Sequence, residues 1–392
     1  MTPAARVQAA IELLDAIIAA ARGQGAPADR LIGEYFRARR YAGSKDRRAV
    51  RELVYAAIRA CGPVPASGRA AMLRLAEDDT ALSALFDGSA HGPAPIGDGE
   101  RAAEGGLAPG WLSKRLAASG MAGAQAEALL DRAPLDLRVN TLKADRETVT
   151  LPEPGEPLTL PQALRFAPGT SVDQWDAYRS GLVEVQDHGS QMACRAVAAQ
   201  PGELVVDLCA GAGGKTLALA AAMDNCGALI AADTDRARLQ RLAPRAERAG
   251  AGMIESRLLD PGREMERLAD LAGRADAVLV DAPCSGTGTW RRNPEARWRL
   301  TPDLLARYMA AQDYVLALGA RLVRPCGRLV FVTCSLLDDE GDTRVTAFLA
   351  AHPGWRAEAV DLPLGTRRGA GWRLNPHDDA TDGFFIARLV AP

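Results

Sequence analysis

From about residue 200 onward the chain alternates between apolar runs typical of buried strands and amphipathic runs typical of helices. Six segments predict strands: ELVVDLCA, GALIAADTD, MIESRLLD, ADAVLVDAPC, GRLVFVTCS and DGFFIARLV. Because strands that alternate with helices usually pair in parallel, the pattern predicts a mostly parallel α/β sheet with helices on both faces. Ligands of such sheets bind beyond the carboxyl ends of the strands.

Two of the predicted helices between these strands contain residues that indicate where the helix begins or ends. Residues 236–250 predict one helix closed by Gly250, because glycine readily adopts the left-handed conformation that follows a helix. Residues 301–323 predict a long helix in which Thr301 is the N-cap and Pro302 the first helical residue.

Each of the first five predicted strands leads to a polar or reactive residue. The second ends at Asp233, the third at Asp260 and the fourth at Asp281, with Cys284 just beyond; the fifth ends at Cys334. In a parallel sheet these ends line one rim. A single acid there is explained equally well as a helix cap, but three acids at successive strand ends favour a site.

The first predicted strand runs into LCAGAGGKT, residues 208–216, which resembles a phosphate-binding loop. The Walker A pattern fails because Cys209 stands where its first glycine is required, and the dinucleotide fingerprint fails at Thr216. Glycines still allow a ligand to approach the backbone at a helix N-terminus, and Asp233 suits a ribose diol. A nucleoside-like cofactor is therefore expected, although Thr216 and Asp281 could imitate the Mg²⁺ site of a nucleotide hydrolase.

Composition narrows the class of protein. The net charge is −2, so bulk charge does not indicate a nucleic-acid binder. Seven cysteines without a CxxC pair predict neither a disulfide framework nor a metal site, and favour a reducing cytoplasm. The N-terminus lacks the layout of a signal peptide, and no apolar run approaches the roughly 20 residues that span a bilayer.

Residues 4–61 have the apolar spacing of helices. Between two of these helices, residues 36–51 hold seven basic residues and one acid. This stretch is either a solvated helix face or a basic patch for phosphates. Residues 88–109 are rich in glycine, proline and alanine, which predicts a linker.

Several motifs carry a resemblance to one family. They are RVNTLK (138–143), VQDHGSQMA (185–193), DAPCSGTGTWRRNPEARW (281–298), FVTCS (331–335) and HDDATDGFFIARL (377–389). In this order they resemble the Sun/RsmB family of S-adenosylmethionine-dependent RNA cytosine-5 methyltransferases. The resemblance covers roughly residues 108–392, and the helical N-terminus is similar to the NusB-like RNA-binding domain of the family's bacterial ribosomal RNA enzyme.

The resemblance implies a domain order and a partner. A Rossmann-like methyltransferase domain follows an all-helical one, and the substrate is RNA, with small-subunit ribosomal RNA the first expectation; the protein is expected to act as a cytoplasmic monomer without a membrane partner or a metal. The expected segments are a NusB-like domain at 1–87, a linker at 88–109, a small α/β RNA-binding subdomain at 110–180 and the methyltransferase domain at 181–392.

By the same resemblance, the glycine loop holds the methionine part and ribose of S-adenosylmethionine. The expected cofactor residues are Cys209, Ala210, Gly211, Ala212, Gly213, Gly214, Lys215, Asp233, Asp260 and Asp281. Two departures from the family pattern stand out. Gly211-Ala212 replaces the usual Ala-Pro, and Gly341 follows Glu340 where the family often has Glu-Asn.

The family chemistry assigns roles to two cysteines. Cys334 is the thiol that attacks carbon 6 of cytosine, which activates carbon 5 for methylation. Asp281 stabilises ring nitrogen 3, Cys284 helps release the product, and Lys215 places the base or lowers the pKa of the thiol. The other thiols, except that of Cys209, are expected to be buried packing groups, namely Cys61, Cys194, Cys226 and Cys326.

Arg138, Asn140 and Lys143 lie in the RVNTLK motif and suggest one RNA surface, while Arg291 and Arg292 follow the Cys284 loop and suggest another. Each could instead be an ordinary solvated residue. Two other classes stay open on sequence alone. One is a P-loop-like nucleotide hydrolase, and the other is a methyltransferase fold retained as an RNA chaperone, against which the presence of both cysteines argues.

Overall fold

The computed structural model describes residues 1–23 and 25–392. The chain divides into two compact units, a helical unit of residues 1–131 and 289–301 and a catalytic unit of residues 132–288 and 302–392. In the parts of the chain that are described, no helix is both long and apolar enough to cross a membrane.

Among the described residues before 132, the helical unit contains seven α-helices: α1 (Pro3–Arg22), α2 (Ala28–Ala38), α3 (Ser44–Ala60), α4 (Gly68–Ala76), α5 (Thr80–Ser83), α6 (Gly110–Ala118) and α7 (Ala124–Glu127). Thr2 caps α1 by accepting from the Ala5 amide, and Ser67 caps α4 in the same way. A continuous core joins α1 to α4, with Leu14, Ile58 and Met72 fully buried.

The catalytic unit begins with a small antiparallel sheet. Its elements are β1 (Leu135–Val139), β2 (Glu156–Pro157), β3 (Ala163–Phe166), α8 (Asp176–Arg179) and β4 (Val183–Val185), with strand order β2-β3-β1-β4. Leu137, Phe166 and Trp175 form part of a separate core for this sheet.

The rest of the chain forms the large sheet and its helices, apart from α14, which belongs to the helical unit. The elements are α9 (His188–Val197), β5 (Leu204–Asp207), α10 (Gly214–Ala222), β6 (Ala228–Asp233), α11 (Arg236–Leu239), α12 (Leu242–Ala249), β7 (Ile254–Leu258), α13 (Glu264–Leu268), β8 (Ala275–Asp281), α14 (Ala296–Arg299, in the helical unit), α15 (Pro302–Ala320), β9 (Val323–Thr333), α16 (Asp342–Ala351), β10 (Arg356–Glu358), β11 (Thr366–Arg368), β12 (Gly371–Leu374), α17 (Pro376–Asp379) and β13 (Phe384–Val390). Short 3-10 helices span Ala128–Leu130, Ala269–Leu271, Thr287–Thr289 and Asp338–Glu340.

The large sheet confirms the predicted α/β class. Its order is β11-β12-β13-β9-β8-β5-β6-β7, with β10 paired to β13. The strands from β5 to β9 are parallel, and β13 joins β9 antiparallel. Residues alternate between faces as strand geometry requires, so Val205 packs with α9 and α10 while Val206 packs with α15 and α16.

Two predicted elements differ in detail. The helix expected over 236–250 is divided into α11 and α12, because Pro244 has no amide hydrogen and is tolerated only in a first helical turn. Gly250 does end α12, with φ 73°. Strand β9 begins at Val323, four residues before the predicted start, and its register with β8 shifts between Ala275 and Ala277.

The predicted domain boundaries also change. Helices α6 and α7 lie in the helical unit, so this unit extends to Asp131 and takes in the predicted linker. That segment has no regular secondary structure, but backbone hydrogen bonds join it to the helices. The Gly62 amide donates to the Glu104 carbonyl oxygen, and the Ala103 amide donates to the Ala70 carbonyl oxygen. The small sheet continues to Val185, five residues past the predicted boundary at 180.

Residues 289–301 are built into the helical unit through buried polar contacts. Arg297 is fully buried, and its guanidinium donates to the carbonyl oxygens of Ile58, Cys61 and Pro294 at 2.6–2.8 Å. Burial lowers its pKa to about 10. Glu295 accepts from the Ala28 amide at 3.0 Å. This part of the motif therefore serves packing.

Arg297→Met should destabilise the helical unit by roughly 2–4 kcal/mol, because three buried carbonyl groups lose their donor. Urea denaturation would measure the loss, and faster hydrogen exchange in α3 would locate it. The matched control is Arg30→Met on α2, where the side chain is 71% exposed. Equal stabilities of the two variants would contradict this role of Arg297.

Candidate active site

The carboxyl ends of β6, β5, β8 and β9 stand side by side on one rim of the sheet. Strands β8 and β9 are direct parallel neighbours, with Asp281 opposite Val332. The prediction that these strand ends line one rim is confirmed. Groups that follow these two strands are therefore brought together by backbone pairing.

Two thiols meet at this point. Cys284 lies three residues beyond β8 and Cys334 one residue beyond β9, and their sulfur atoms are 3.4 Å apart. Both side chains are partly exposed. The hydrogen bond to Cys334, together with burial and the charges of Cys334 and Glu340, raises the pKa of Cys284 well above its usual value. Cys284 is therefore a thiol at neutral pH.

A buried polar network holds the two cysteine-bearing turns. The fully buried Glu340 accepts from the Ser285 amide at 2.9 Å and from the Ser285 hydroxyl. Gln312 of α15 donates both to Glu340 and to the carbonyl oxygen of Pro283. In the sequence, Glu340 was noted only because Gly341 follows it where the family often has Glu-Asn. Gln312 was missed, because its helical surroundings carry no signal of a site.

A partly buried ion pair lies on the same rim. Lys215 of α10 donates to Asp281 at 2.7 Å. Burial is the largest single effect and would lower the pKa of Lys215, but the hydrogen bond to Asp281 and the charges of Asp281, Cys194 and Cys334 together outweigh it, and the pKa is raised. The ammonium group is thus charged, and it also faces the ring of Phe384 at 5.6 Å.

The glycine loop turns from β5 into α10. Gly211 and Gly213 have φ of 55° and 83°, values that strain any residue with a Cβ. The space beside Gly214, the first residue of α10, is open. Loop backbone and helix N-terminus together form a cradle suited to a polar ligand. Cys209 at its start is partly exposed, and burial raises the pKa of its thiol.

The two remaining predicted acids differ in environment. Asp233 is 8% exposed, and its oxygens accept from the amides of Gly211 and Asp235, each at 2.7 Å. Asp233 therefore shapes the glycine loop, and its oxygens retain lone pairs for a ligand. Asp260 is exposed, with Arg267 at 3.8 Å.

Asp207, at the end of β5, is a buried acid that the sequence patterns did not single out. It accepts from the hydroxyl of Thr216 at 2.6 Å, and its second oxygen has no partner among the described residues. Burial raises its pKa to about 7, and the nearby charges of Asp281 and Asp233 add to the rise. Because Thr216 is fully buried and donates to Asp207, it is a poor candidate for a Mg²⁺ ligand.

Comparison with known proteins shows the family to which the chain belongs. The family model described as 16S rRNA methyltransferase RsmB/F matches residues 194–390. The ribosomal RNA small subunit methyltransferase B of Sodalis glossinidius is 32% identical over 312 residues, covering 76% of this chain and 69% of that protein. The chain belongs to the RsmB/F family.

Other relatives of the RsmB/F family extend the comparison. The probable ribosomal RNA small subunit methyltransferase B of Synechocystis sp. is 37% identical over 270 residues, which cover 65% of this chain. The chain spans 59% of that relative's length. Among solved structures, the crystal structure of PH0851 aligns over 99% of both chains with a TM-score of 0.76 and 26% identity.

Two residues of the RVNTLK motif are buried in this RsmB/F family member. Arg138 is 3% exposed and donates to Gln186 at 2.8 Å. Asn140 is 1% exposed and donates to the carbonyl oxygens of Gly181 and Ala249. These contacts brace the backbone of the catalytic unit, and they correct the prediction that the two residues form an RNA surface.

The other predicted RNA residues differ among themselves. Lys143 is largely exposed, although its ammonium donates to the carbonyl oxygens of Ser180 and Arg248. Arg291 is 6% exposed within the helical unit, and Arg292 is partly exposed. Of this set, Lys143 and Arg292 offer side-chain surface to a ligand.

The predicted burial of four cysteines is half correct. Cys61 and Cys194 are buried, but Cys226 and Cys326 are exposed. Cys226 follows a turn in which Asp224 and Asn225 have positive φ. Cys326 itself has φ 59° where β9 bends. Cys226 therefore lies beside a turn, whereas Cys326 lies within β9 at a residue with left-handed backbone.

Asp207 should make stability depend on pH. Its pKa is 3.8 in the unfolded chain and about 7 in the fold, so unfolding releases a proton between these values and stability falls as pH rises from about 4 to about 7. Asp207→Asn should remove up to about 4 kcal/mol of this decline, measured by urea denaturation across that range. Asp173→Asn, at an exposed position, is the control and should leave the decline unchanged. An equal decline in both variants would contradict the raised pKa of Asp207.

Proposed function

We propose that this protein transfers a methyl group from S-adenosylmethionine to carbon 5 of a cytosine in RNA, and that the RNA is small-subunit ribosomal RNA. The observation that carries the proposal is the pair of thiols 3.4 Å apart, beside the Lys215–Asp281 ion pair. The names of the relatives support ribosomal RNA as substrate.

Carbon 5 of cytosine is a weak nucleophile, and a thiolate bonded to carbon 6 makes it enamine-like. Cys334 supplies that thiolate. The charge of Glu340 disfavours a second thiolate at Cys284, so the two thiols are electrostatically unequal before substrate binds. This inequality supports Cys334 as the attacking residue.

Asp281 and Lys215 act on the charge that develops in the ring. Asp281 accepts a hydrogen bond from the charged ammonium group of Lys215, so a proton is available between these two side chains. Asp281 positions ring nitrogen 3, and the proton shared with Lys215 stabilises the charge that collects there. Removal of either partner should leave a buried charge without compensation.

Release requires a base for the proton on carbon 5, after which the bond between Cys334 and carbon 6 breaks. Cys284 holds a proton while it is next to the Cys334 thiolate. Once Cys334 is bonded to carbon 6, it is a neutral thioether, so the largest cause of the raised pKa of Cys284 is gone. Cys284 is partly exposed, so it can then lose its own proton to solvent and accept the one from carbon 5; the electron pair of the carbon 5–hydrogen bond restores the ring double bond as Cys334 leaves as a thiolate.

The cofactor site fits this assignment. Gly211, Gly213 and Gly214 present backbone at a helix N-terminus, Asp233 offers acceptor oxygens for a ribose, and buried Asp207 has one unsatisfied oxygen behind the loop. S-adenosylmethionine, when bound there, supplies the electrophilic methyl group. The expected roles of Cys209, Ala210, Ala212 and Asp260 in holding it remain part of the proposal.

In the basic stretch of residues 36–51, four exposed side chains are available to phosphates: Arg37, Arg40, Lys45 and Arg48. Arg39 and Arg47 are different, since Arg39 pairs with Glu12 and stacks on Tyr35 while Arg47 donates to the Ala42 carbonyl. The exposed four support an RNA-binding role for the helical unit.

Cys284→Ala should attack and transfer methyl but stall with Cys334 joined to RNA, giving a protein–RNA band that survives a denaturing gel. Turnover should fall by about 10²–10⁴-fold, the usual value of a lost general base. Cys334→Ala and the double variant should give neither product nor band. The measurement combines the gel with transfer of a radioactive methyl group.

Cys226→Ala and Cys326→Ala are matched controls, because both thiols are exposed and away from the site. They should behave as the parent protein. A band in Cys334→Ala and not in Cys284→Ala would reverse the two roles. Absence of methyl transfer to any RNA by the parent protein would refute the proposed function.

Neutralising the four exposed basic residues together should weaken RNA binding. The slope of log K against log salt should become shallower by up to about 0.7 for each phosphate of single-stranded RNA that is no longer neutralised. Cofactor binding should be unchanged. Filter binding at several salt concentrations measures this. The control neutralises four exposed arginines of the catalytic unit: Arg263, Arg274, Arg356 and Arg367. Equal slopes in the two proteins would show that the patch is a solvated face.

A further inference from the structure

Glu340 is a carboxylate without solvent contact and without a basic partner among the described residues. It is 0% exposed. Its side chain accepts from the Ser285 amide and hydroxyl and from the Gln312 amide group. A buried charge is costly unless such donors compensate it, so a glutamate here needs a reason beyond packing.

The contacts of Glu340 reach both sides of Cys284. Ser285, which follows Cys284, donates to the carboxylate directly at 2.9 Å. Pro283, which precedes Cys284, accepts at 2.9 Å from Gln312, and the same Gln312 nitrogen donates to Glu340 at 3.0 Å. The backbone of Cys284 is thereby held from two directions by one carboxylate.

The main chain of Glu340 is tied to the other cysteine. The hydroxyl of Thr333, the residue before Cys334, donates to the Glu340 carbonyl oxygen at 3.2 Å. A second link runs between the hydroxyl groups of Ser285 and Ser335 at 3.2 Å. Glu340 therefore connects the turn after β8, which carries Cys284, to the end of β9, which precedes Cys334.

We propose that Glu340 is a positioning residue that fixes Cys284 against Cys334. Its negative charge disfavours a thiolate at Cys284, so that Cys334 is the residue that attacks as a thiolate. This inference rests on the proposed function and deepens it. Glu340 does not touch the reacting atoms. It acts through Cys284, and it makes two chemically identical side chains unequal.

Besides the two thiols themselves, three titratable groups face the pair, each from a different element. Glu340 from its 3-10 helix and Tyr308 from α15 face Cys284, and Lys215 of α10 faces Cys334. Burial raises the pKa of Tyr308, with Cys284 and Glu340 adding to the rise, so its hydroxyl is neutral. Glu340 therefore raises the pKa of Cys284 by its charge, while the positive charge of Lys215 lies on the Cys334 side.

The test compares Cys284 alkylation by iodoacetamide across pH in the full-length Cys334→Ala protein, because the alkylation rate follows the thiolate fraction. In that background, Glu340→Gln keeps the size of the side chain and removes its charge. We expect the midpoint for Cys284 to fall by about one pH unit, the usual effect of one nearby charge. Glu340→Asp, which moves the charge back by one methylene, should give a smaller fall.

The chain provides its own controls in the same mass spectrum. Cys194 is buried and should remain unmodified in every folded variant, while exposed Cys226 and Cys326 should keep their midpoints. Glu264→Gln is the matched variant, since Glu264 is 5% exposed and accepts from Tyr314 of the same helix that carries Gln312. It should leave the Cys284 midpoint unchanged.

The proposal is overturned if any Glu340 variant that leaves Cys194 unmodified has the same Cys284 midpoint as Cys334→Ala alone. The proposal can also be tested without a substitution at Glu340. In Cys334→Ala, the midpoint of Cys284 must lie above those of Cys226 and Cys326, and a value at or below them overturns the proposal.

A second measurement separates positioning from general structural support. In the parent protein, Glu340→Gln should lower kcat by about tenfold with KM nearly unchanged. In the Cys284→Ala background it should alter the rate of adduct formation by less than twofold, because the residue through which it acts is absent. A tenfold loss in both backgrounds would contradict the proposal.

Failure of the proposed function and failure of the proposed role of Glu340 give different results. If the alkylation midpoints shift as expected but no variant forms an RNA adduct, the charge coupling stands and the proposed function fails. If adducts form as expected but the midpoints do not shift, the function stands and the role of Glu340 is refuted.

Discussion

The parallel pairing of β8 with β9 is the constraint on which the site depends. Its register sets Asp281 opposite Val332, so the chain leaves both strands at nearly the same height. Cys334 follows at once and Cys284 three residues later, which gives sulfur atoms 3.4 Å apart. A one-residue shift would turn the side chains of β9 to the opposite face of the sheet.

Around this pair the fold arranges buried charges of opposite sign. The Lys215–Asp281 ion pair lies at the ends of α10 and β8, and Glu340 lies behind the Cys284 turn. Each buried charge would be unfavourable alone, and each is compensated by donors or by an opposite charge. The environment of one sulfur therefore differs from that of the other, although both come from the same residue type and the same sheet edge.

Sequence periodicity predicted the sheet and the rim at which its strands end, because these follow from local patterns and from the rules of parallel pairing. It could not predict the burial of Arg138 and Asn140, whose partners Gln186, Gly181 and Ala249 lie 41 to 109 residues away. A polar residue in a motif has the same letter whether it faces RNA or a carbonyl oxygen in the interior. The role of Glu340 was missed for the same reason.

The segment that follows Cys284 shows how one motif can serve two purposes. Its first half, through Gly288, shapes the cysteine turn, since the Gly288 amide donates to the Cys334 carbonyl at 3.0 Å. Its second half belongs to the helical unit, where Arg297 and Trp298 are buried and Arg297 satisfies backbone carbonyls. The chain thus enters the helical unit again between Gly288 and Pro302. Arginines in this motif cannot be assigned to RNA by type alone, because burial in the helical unit already accounts for Arg297.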